Sequence, residues 1–172
     1  DANPVPNMDE GWGRVNLPNL IGSPKNYQFV DQSVLLTNSQ QFEQRILIGS
    51  AAEPLKITLA YTDVPGSPVT VPALVNDLDL EVLAPDGHVY HGNQFNAGES
   101  MVDASAFDTI NNVEAVHLAT PVPGEYVVHI RARKVVMDAR RDTGAIDQDF
   151  ALVVSGTFAA PGTGIVTFDR RV

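Results

Sequence analysis

Two short stretches of the sequence place oxygen-bearing side chains in an otherwise apolar setting. The first, residues 74–80, reads LVNDLDL and sets Asn76, Asp77 and Asp79 among leucines. Aspartate is a poor strand former, and a buried charge is costly unless it is paired or bound to a metal. In a strand Asp77 and Asp79 point to the same face, so a cation between them would remove their mutual repulsion.

The second stretch, residues 107–114, reads FDTINNVE and supplies Asp108, Asn111, Asn112 and Glu114. Calcium takes six to eight oxygen ligands from carboxylates, side-chain amides, backbone carbonyls and water. These residue types predict that the two stretches meet around a divalent cation, although the spacing is not that of an EF-hand loop. Solvated turns capped by asparagines would use the same residues, so composition alone leaves both interpretations open.

The sequence offers little support for catalysis. No G-x-S-x-G turn is present, and Ser50 and Ser155 lie at the ends of strand-like segments. His88 and His91 are three residues apart, which on a strand directs them to opposite faces and disfavours a shared zinc ion. A pair of carboxylates is not a specific sign of glycoside hydrolysis, because a chain with 21 acidic residues always has some acids near each other. There is also no glycine-rich phosphate loop. We therefore expect no catalytic residues in this chain.

Composition narrows the classes of partner. The 172 residues fit one domain, and the net charge is −10, from 21 acidic and 11 basic residues. This balance argues against nucleic acid and anionic membranes as partners, and it is compatible with an extracellular cation-binding protein. The absence of cysteine excludes disulfides and thiolate metal sites. No apolar run is long enough to predict a membrane span.

Alternating hydrophobicity and β-branched residues predict eight strands, at residues 27–36, 41–49, 55–63, 78–84, 88–92, 113–119, 124–136 and 149–158. No segment sustains the 3.6-residue period of a helix, so the pattern predicts an all-β sandwich or barrel. Leu78, Leu80 and Val82 are expected to face the core and Asp79 to face outward. Residues 93–112 form a long linker without strand character, which is expected to be ordered only if it is functional or held in place.

The two ends of the sequence have a different character from its middle. In GWGRVNL, residues 11–17, two glycines flank Trp12, which predicts a tight turn with the ring anchored in a core. Residues 159–172 are rich in small residues and then apolar. The sequence begins at Asp1 without methionine or signal peptide, so we expect a fragment of a longer protein; a mature chain left after signal removal is the alternative.

Five motifs in order resemble the C-terminal, P-domain-like β-jelly-roll domain of secreted subtilisin-like serine proteases: GWGRVNL, PLKITLAYTDVPGSP, LVNDLDLEVLAPDGHVYHGNQF, NNVEAVHLATPVPGEYVVHIRA and FALVVSG. The resemblance covers residues 11–158. It implies a jelly-roll β-sandwich or barrel of about eight antiparallel strands. Residues 1–17 would connect from an upstream catalytic domain, 18–158 would form the jelly roll, and 159–172 would lead to a following segment.

The resemblance also implies a function. The chain would be a non-catalytic accessory domain that stabilises a secreted serine endopeptidase through Ca²⁺ and helps to orient a protein substrate, with the catalytic triad upstream. A carbohydrate- or protein-binding module of an extracellular enzyme is the alternative. Gln94, in GNQF, stands where some relatives have an aspartate for a further calcium, which leaves a second site in doubt. The transferred calcium ligands or direct supports are, as first choices, Asp79, Asp108, Asn112 and Glu114 and, as second choices, Asp77 and Asn76.

Overall fold

The computed structural model describes residues 3–7, 9–18 and 26–159. Between residues 26 and 159 the regular elements are β1 (Tyr27–Leu36), β2 (Gln41–Ile48), β3 (Leu55–Ala60), β4 (Asp77–Leu83), β5 (Val89–His91), β6 (Phe95–Asn96), β7 (Glu99–Ser100), β8 (Val113–Leu118), β9 (Gly124–Lys134) and β10 (Gln148–Ser155). Eight of these strands coincide with the predicted ones, with ends that differ by a few residues. The short strands β6 and β7 lie in the predicted linker, which is therefore not structureless.

The eight longer strands form two four-stranded antiparallel sheets. One sheet has the order β1-β10-β3-β8 and the other the order β2-β9-β4-β5. When only these eight strands are counted along the chain, the orders become 1-8-3-6 and 2-7-4-5, which is the arrangement of a jelly roll. The predicted all-β jelly-roll sandwich is confirmed.

The core lies between the sheets and follows the two-residue alternation of the strands. Burying one such aliphatic side chain contributes about 1.5–3 kcal/mol, and a one-residue slip would expose the whole set. This core therefore fixes the register of β4, and with it the outward direction of Asp79. The fully buried large side chains of the core strands include Leu55, Ile57, Leu59, Leu78, Leu80, Tyr126, Ile130, Phe150 and Leu152.

The segment around Trp12 lies outside this core. Gly11 and Gly13 have φ values of +57° and +76°, so the predicted tight turn is confirmed. The indole ring, however, packs edge-on against Phe95 and His117, each 6.2 Å away between ring centroids, and Trp12 is 48% exposed. The prediction of a core anchor is wrong: the ring lies on the outer surface of the sandwich, beside β8 and β6.

Side chains of residues 93–100 fasten the predicted linker to β8. Three of their oxygens accept hydrogen bonds from alternate N–H groups along and just beyond β8: Ala115 N to Asn93 Oδ1 (3.0 Å), His117 N to Ser100 Oγ (2.9 Å) and Ala119 N to Glu99 Oε1 (3.0 Å). The protein's own hydrogen bonds therefore hold in place part of the linker that was expected to be ordered only if it is functional or held in place.

The chain after β10 returns to the edge of β2. Gly49 N donates to Thr157 O at 2.8 Å, and Ala159 N donates to Leu47 O at 2.9 Å. Residues 160–172 of the predicted tail lie outside the described residues, and the division into connector, domain and tail stays a prediction. The described part of the chain has no helix with the length and apolar character needed to cross a bilayer.

Candidate cation site

Buried carboxylates cluster where β4 approaches β8. Asp77 and Asp79 belong to β4 and Glu114 to β8, and these residues are 7%, 3% and 1% exposed. Asp79 lies on the outer face of its sheet, as predicted, but it is covered rather than solvated. The charges of Asp77, Asp79 and Asp108 all act on Glu114, so the structure brings acids from the two predicted stretches into one region.

Glu114 is directed between the sheets, because it alternates with Val113 and Ala115 on β8 and shares a face with the core residue Val116. Its Oε2 accepts a hydrogen bond from Leu80 N at 2.8 Å, and its Oε1 is buried without a hydrogen-bond partner. Burial, together with the neighbouring carboxylates, raises the pKa of Glu114 to about 9. In the absence of a cation, Glu114 is therefore protonated at neutral pH.

Gly92 provides the space that Glu114 occupies. A Cβ atom on Gly92 would lie 2.1 Å from Glu114 Oε2 and 2.7 Å from Glu114 Cβ. We expect Gly92→Ala to lower the free energy of unfolding by about 1–3 kcal/mol, because overpacking forces the surroundings to shift. Urea denaturation measures this change. Gly156→Ala is the control, since its Cβ would make ordinary contacts at 3.4 and 3.5 Å with Ile48 and Leu55; equal losses in both variants would contradict the prediction.

Asp77 and Asp79 face Arg133 of β9. Arg133 Nη1 lies 3.5 Å from Asp79 Oδ2, and Arg133 Nε lies 3.9 Å from Asp77 Oδ2. The Oδ1 atoms of both aspartates are buried without a hydrogen-bond partner. Burial, together with the charge of Asp77, raises the pKa of Asp79 to about 6, and burial also raises the pKa of Asp77. Arg133, together with the charge of Lys134 acting on Asp77, thus compensates these two acids incompletely.

Asp108 has a different environment, since hydrogen-bond donors surround both of its oxygens. Although burial acts in the opposite direction, the bonds from Asn93 and Asn111 lower the pKa of Asp108. The side chain therefore stays ionised, closes the turn that follows it and ties this turn to Asn93. Its donors are Asn93 Nδ2 (2.6 Å) and Asn111 Nδ2 (2.6 Å) at Oδ2, and Ile110 N (2.8 Å) and Asn111 N (3.1 Å) at Oδ1.

The two remaining predicted residues hold backbone segments near the acids. Asn112 Nδ2 donates to Tyr61 O at 2.8 Å. Asn76 is fully buried, and its side chain makes four hydrogen bonds: Oδ1 accepts from Val136 N (3.0 Å) and Met137 N (3.2 Å), and Nδ2 donates to Met137 O (2.8 Å) and Gln148 Oε1 (3.0 Å). The contacts of Asn76 and Asn112 are those of supports, with Asn76 joining three separate parts of the chain.

Within the described residues, no three His, Asp or Glu side chains are already arranged as ligands of one metal ion. The donor atoms nevertheless fit calcium by type, because Asp77, Asp79 and Glu114 each present a buried carboxylate oxygen without a partner. A cavity of about 310 Å³ reaches Asp79 from solvent and is lined also by Phe107, Arg131 and Arg133, among others. The cavity therefore gives access to Asp79, and closing the three donors around one ion requires movement of side chains.

A neighbouring polar cluster on the same sheet face is balanced by its own partners. Glu81 accepts hydrogen bonds from Arg131 and from His129 Nδ1 (3.1 Å), and His91 Nε2 lies 3.4 Å from its other oxygen. Although burial acts in the opposite direction, Arg131 and His129 lower the pKa of Glu81. Glu81 therefore differs from Asp79, two residues away on the same strand, whose compensation is incomplete.

Sequence reasoning did not single out Arg133, Asn93 or Phe107. Arg133 shares the outer face of β9 with polar residues, but only the bulged register with β4 shows that it lies beside the aspartates. Asn93 has a φ of +61°, a conformation that asparagine tolerates, and the Gly-Asn pair in GNQF was its signal. Phe107 stacks on the His91 ring at 4.0 Å between centroids, a contact across the loop that no local pattern predicts.

Comparison with known proteins gives one informative similarity. The chain is 32% identical over 143 residues to the serine protease/ABC transporter B family protein tagA of Dictyostelium discoideum. The match covers 74% of this chain but only 8% of that protein. No protein-family model matches the chain. This similarity links the chain to a protein named as a serine protease, and it does not reach the finer assignment to the subtilisin-like family.

Among solved structures, the chain is similar to a crystal structure of a protein from Sulfurospirillum deleyianum. The superposition covers 81% of this chain and 99% of that one, with a TM-score of 0.34 and 7% sequence identity. A likeness this weak supports no argument about function.

Proposed function

We propose that the chain is a non-catalytic accessory domain of a secreted subtilisin-like serine protease, which it stabilises by binding calcium. Three buried carboxylate oxygens without partners, on Asp77, Asp79 and Glu114, carry the calcium part of the proposal. The resemblance of five ordered motifs and the similarity to a protein named as a serine protease support the protease part. The implied partners are the catalytic domain upstream in the same chain and a protein substrate.

In this proposal the cation would be held by Asp77, Asp79 and Glu114, and Asp108 would keep the adjoining loop in position. Bound there, calcium would supply the positive charge that the buried carboxylates lack. Because Glu114 belongs to one sheet and the two aspartates to the other, the ion would join the sheets at this margin. Glu114 Oε2 would keep its hydrogen bond to Leu80 N and so preserve the alignment of β4.

Thermal unfolding in calcium and in EDTA tests the proposal. Calcium at 100 times its Kd should add about 2.7 kcal/mol to the free energy of unfolding, because it binds the native state selectively. For a chain of this size that corresponds to a rise in Tm of about 5–10 °C. Asp79→Asn should abolish the rise, whereas Asp31→Asn, which removes the same charge from an exposed position on β1, should retain it. Identical melting curves in calcium and EDTA would refute the calcium role.

A cleft elsewhere on the sandwich favours a second candidate, a binding module for protein or carbohydrate. It has a volume of about 410 Å³, and its lining includes Tyr90, Met101, Val102 and Val122. The last three side chains are between 39% and 49% exposed, so the cleft presents apolar surface to solvent. A glycan array and a peptide array with no hits would exclude this alternative. Incubation of the chain with casein is expected to give no cleavage.

A further inference from the structure

Arg133 lies beside Asp77 and Asp79, in the region to which a bound cation would also be attracted. Its nitrogens lie 3.5 Å from Asp79 Oδ2 and 3.9 Å from Asp77 Oδ2, beside the cavity that reaches Asp79. Both distances exceed the roughly 2.7–2.9 Å of a strong charge-assisted hydrogen bond. The guanidinium therefore faces the two acids without being locked to them, with its carbon 5.5 Å from the centre of the Phe107 ring.

The inner oxygens of the same cluster stay uncompensated. Asp79 and Glu114 are both more than nine-tenths buried, and each has an oxygen that accepts no hydrogen bond among the described residues. The Arg133 side chain, by contrast, is 48% exposed, so solvent already reaches it. A guanidinium donates along fixed directions in one plane, whereas calcium takes oxygen ligands from many directions. Arg133 and calcium would therefore contact the same carboxylates with different geometries.

We propose that Arg133 is a tethered counter-ion that competes with calcium for Asp77 and Asp79, and thereby sets the calcium concentration at which the domain is stabilised. This inference rests on the proposed function. While Arg133 faces the aspartates, it offsets part of their charge; when calcium binds them, the guanidinium moves outward to solvent. By linkage, the guanidinium and the ion weaken each other's binding by the same factor.

Isothermal titration of the full chain with calcium tests the competition. Arg133→Gln removes the positive charge and keeps a polar side chain, so the Kd for calcium should fall about tenfold, within the range of about 5–150-fold usual for coupled sites. The same variant should melt at a lower temperature in EDTA. Arg45→Gln is the matched control, because Arg45 lies on β2 of the same sheet but bonds to Glu43 and Glu125; its Kd should stay within about twofold of the wild type.

Arg133→Lys separates the effect of charge from that of shape. An ammonium group at this position still faces the aspartates, so the Kd should stay close to that of the wild type. An equal gain of affinity in Arg133→Lys and Arg133→Gln would trace the effect to lost packing on Phe107 and would overturn the proposal.

The outcomes separate this inference from the proposed function. If the wild type binds calcium and Arg133→Gln binds it no more tightly, Arg133 is no competitor, and the calcium role of the domain stands. If only Arg133→Gln binds calcium, the competition is supported and the stabilising role in the wild type fails. If neither binds, both ideas are overturned. If Arg133→Gln does not fold in EDTA, calcium should refold it, and failure to do so also overturns the competition.

Discussion

Replacing Asn76 with alanine is expected to lower the free energy of unfolding by about 3–5 kcal/mol. The substitution leaves four groups without the partner that the carboxamide provides: the buried Gln148 Oε1 and three partly buried backbone groups of Val136 and Met137. Each unsatisfied buried group costs about 1–3 kcal/mol, and water that enters the new space recovers part of the total. Urea denaturation of the purified chain measures the loss.

The same experiment decides whether Asn76 is a support or a ligand. A support gives the same loss in calcium and in EDTA, whereas a ligand gives a loss mainly in calcium. The geometry predicts a support, because the carboxamide oxygen already accepts two backbone hydrogen bonds. Asn96→Ala, in the short strand β6, is the control and should change stability by less than about 0.5 kcal/mol. A loss below 1 kcal/mol for Asn76→Ala would contradict the assigned role.

In EDTA, the stability of the wild type is expected to fall by about 2–3 kcal/mol between pH 6.5 and pH 8.5. Burial and nearby acids raise the pKa of Glu114 from the ordinary 4.5 to about 9. Between these values the native state holds a proton that the unfolded chain has released, so raising the pH favours unfolding by up to about 1.4 kcal/mol per pH unit. Denaturant titrations at several pH values measure the slope.

Most other groups contribute to the pH dependence of stability outside this window. Burial lowers the pKa of His117 to about 4, so this histidine makes stability rise with pH between about 4 and 6.5 and acts against the carboxylates there. Asp79, with a pKa raised to about 6, contributes mainly below pH 6. Groups with a lowered pKa, such as Glu81 and Asp108, act only below their ordinary range. His88, whose pKa is raised by its hydrogen bond to Asp103, also makes stability fall as the pH rises above about 6.5, so the part of the slope that Glu114→Gln removes is the part that reports on Glu114.

Glu114→Gln supplies the matched variant, because glutamine has the shape of the protonated acid. Its carboxamide oxygen is able to accept from Leu80 N as Glu114 Oε2 does, so the variant should fold and lose most of the slope above pH 6.5, keeping only the contribution of His88. Saturating calcium should also flatten the slope of the wild type, since a divalent ion favours the ionised form. A wild-type slope that persists in Glu114→Gln would assign the effect to another group.

The strands and the core could be predicted because their signal is local. Leu55, Ile57 and Leu59 alternate with polar residues, and this two-residue period is enough to identify β3 and its buried face. Strands β6 and β7 have two residues each, too few to show any period. The position of Trp12 was mispredicted. A large apolar ring is expected to be covered by other side chains, but the sequence does not indicate which surface of the protein covers it.

The candidate site also has features that the sequence predicts and features that it does not. The shared face of Asp77 and Asp79 follows from strand geometry, and Asp108 and Glu114 were singled out by their residue types in the second stretch and then by the resemblance. What could not be predicted was the pairing of β4 with β9, since register between strands distant in sequence depends on the assembled core. A bulge in this pairing sets Asp77 opposite Lys134 and Leu78 opposite Ala132, and it leaves Arg133 unpaired beside the aspartates. Three of the four donors to Asp108 come from Ile110 and Asn111 and are local in sequence. The bond from Asn93 and the lack of donors around Glu114 arise only when the loop meets the sheets, so the sequence could not show them.

The attachment of residues 93–100 to β8 also affects how molecules of this domain behave toward each other. A strand at the margin of a sheet normally offers a row of unpaired N–H groups, to which a strand of another molecule is able to add. Here the N–H groups of Ala115, His117 and Ala119 already donate to side-chain oxygens, which have no backbone ladder to extend. Growth of the sheet from β8 into fibres or strand-exchanged dimers is thereby blocked without a proline or a bulge on β8 itself.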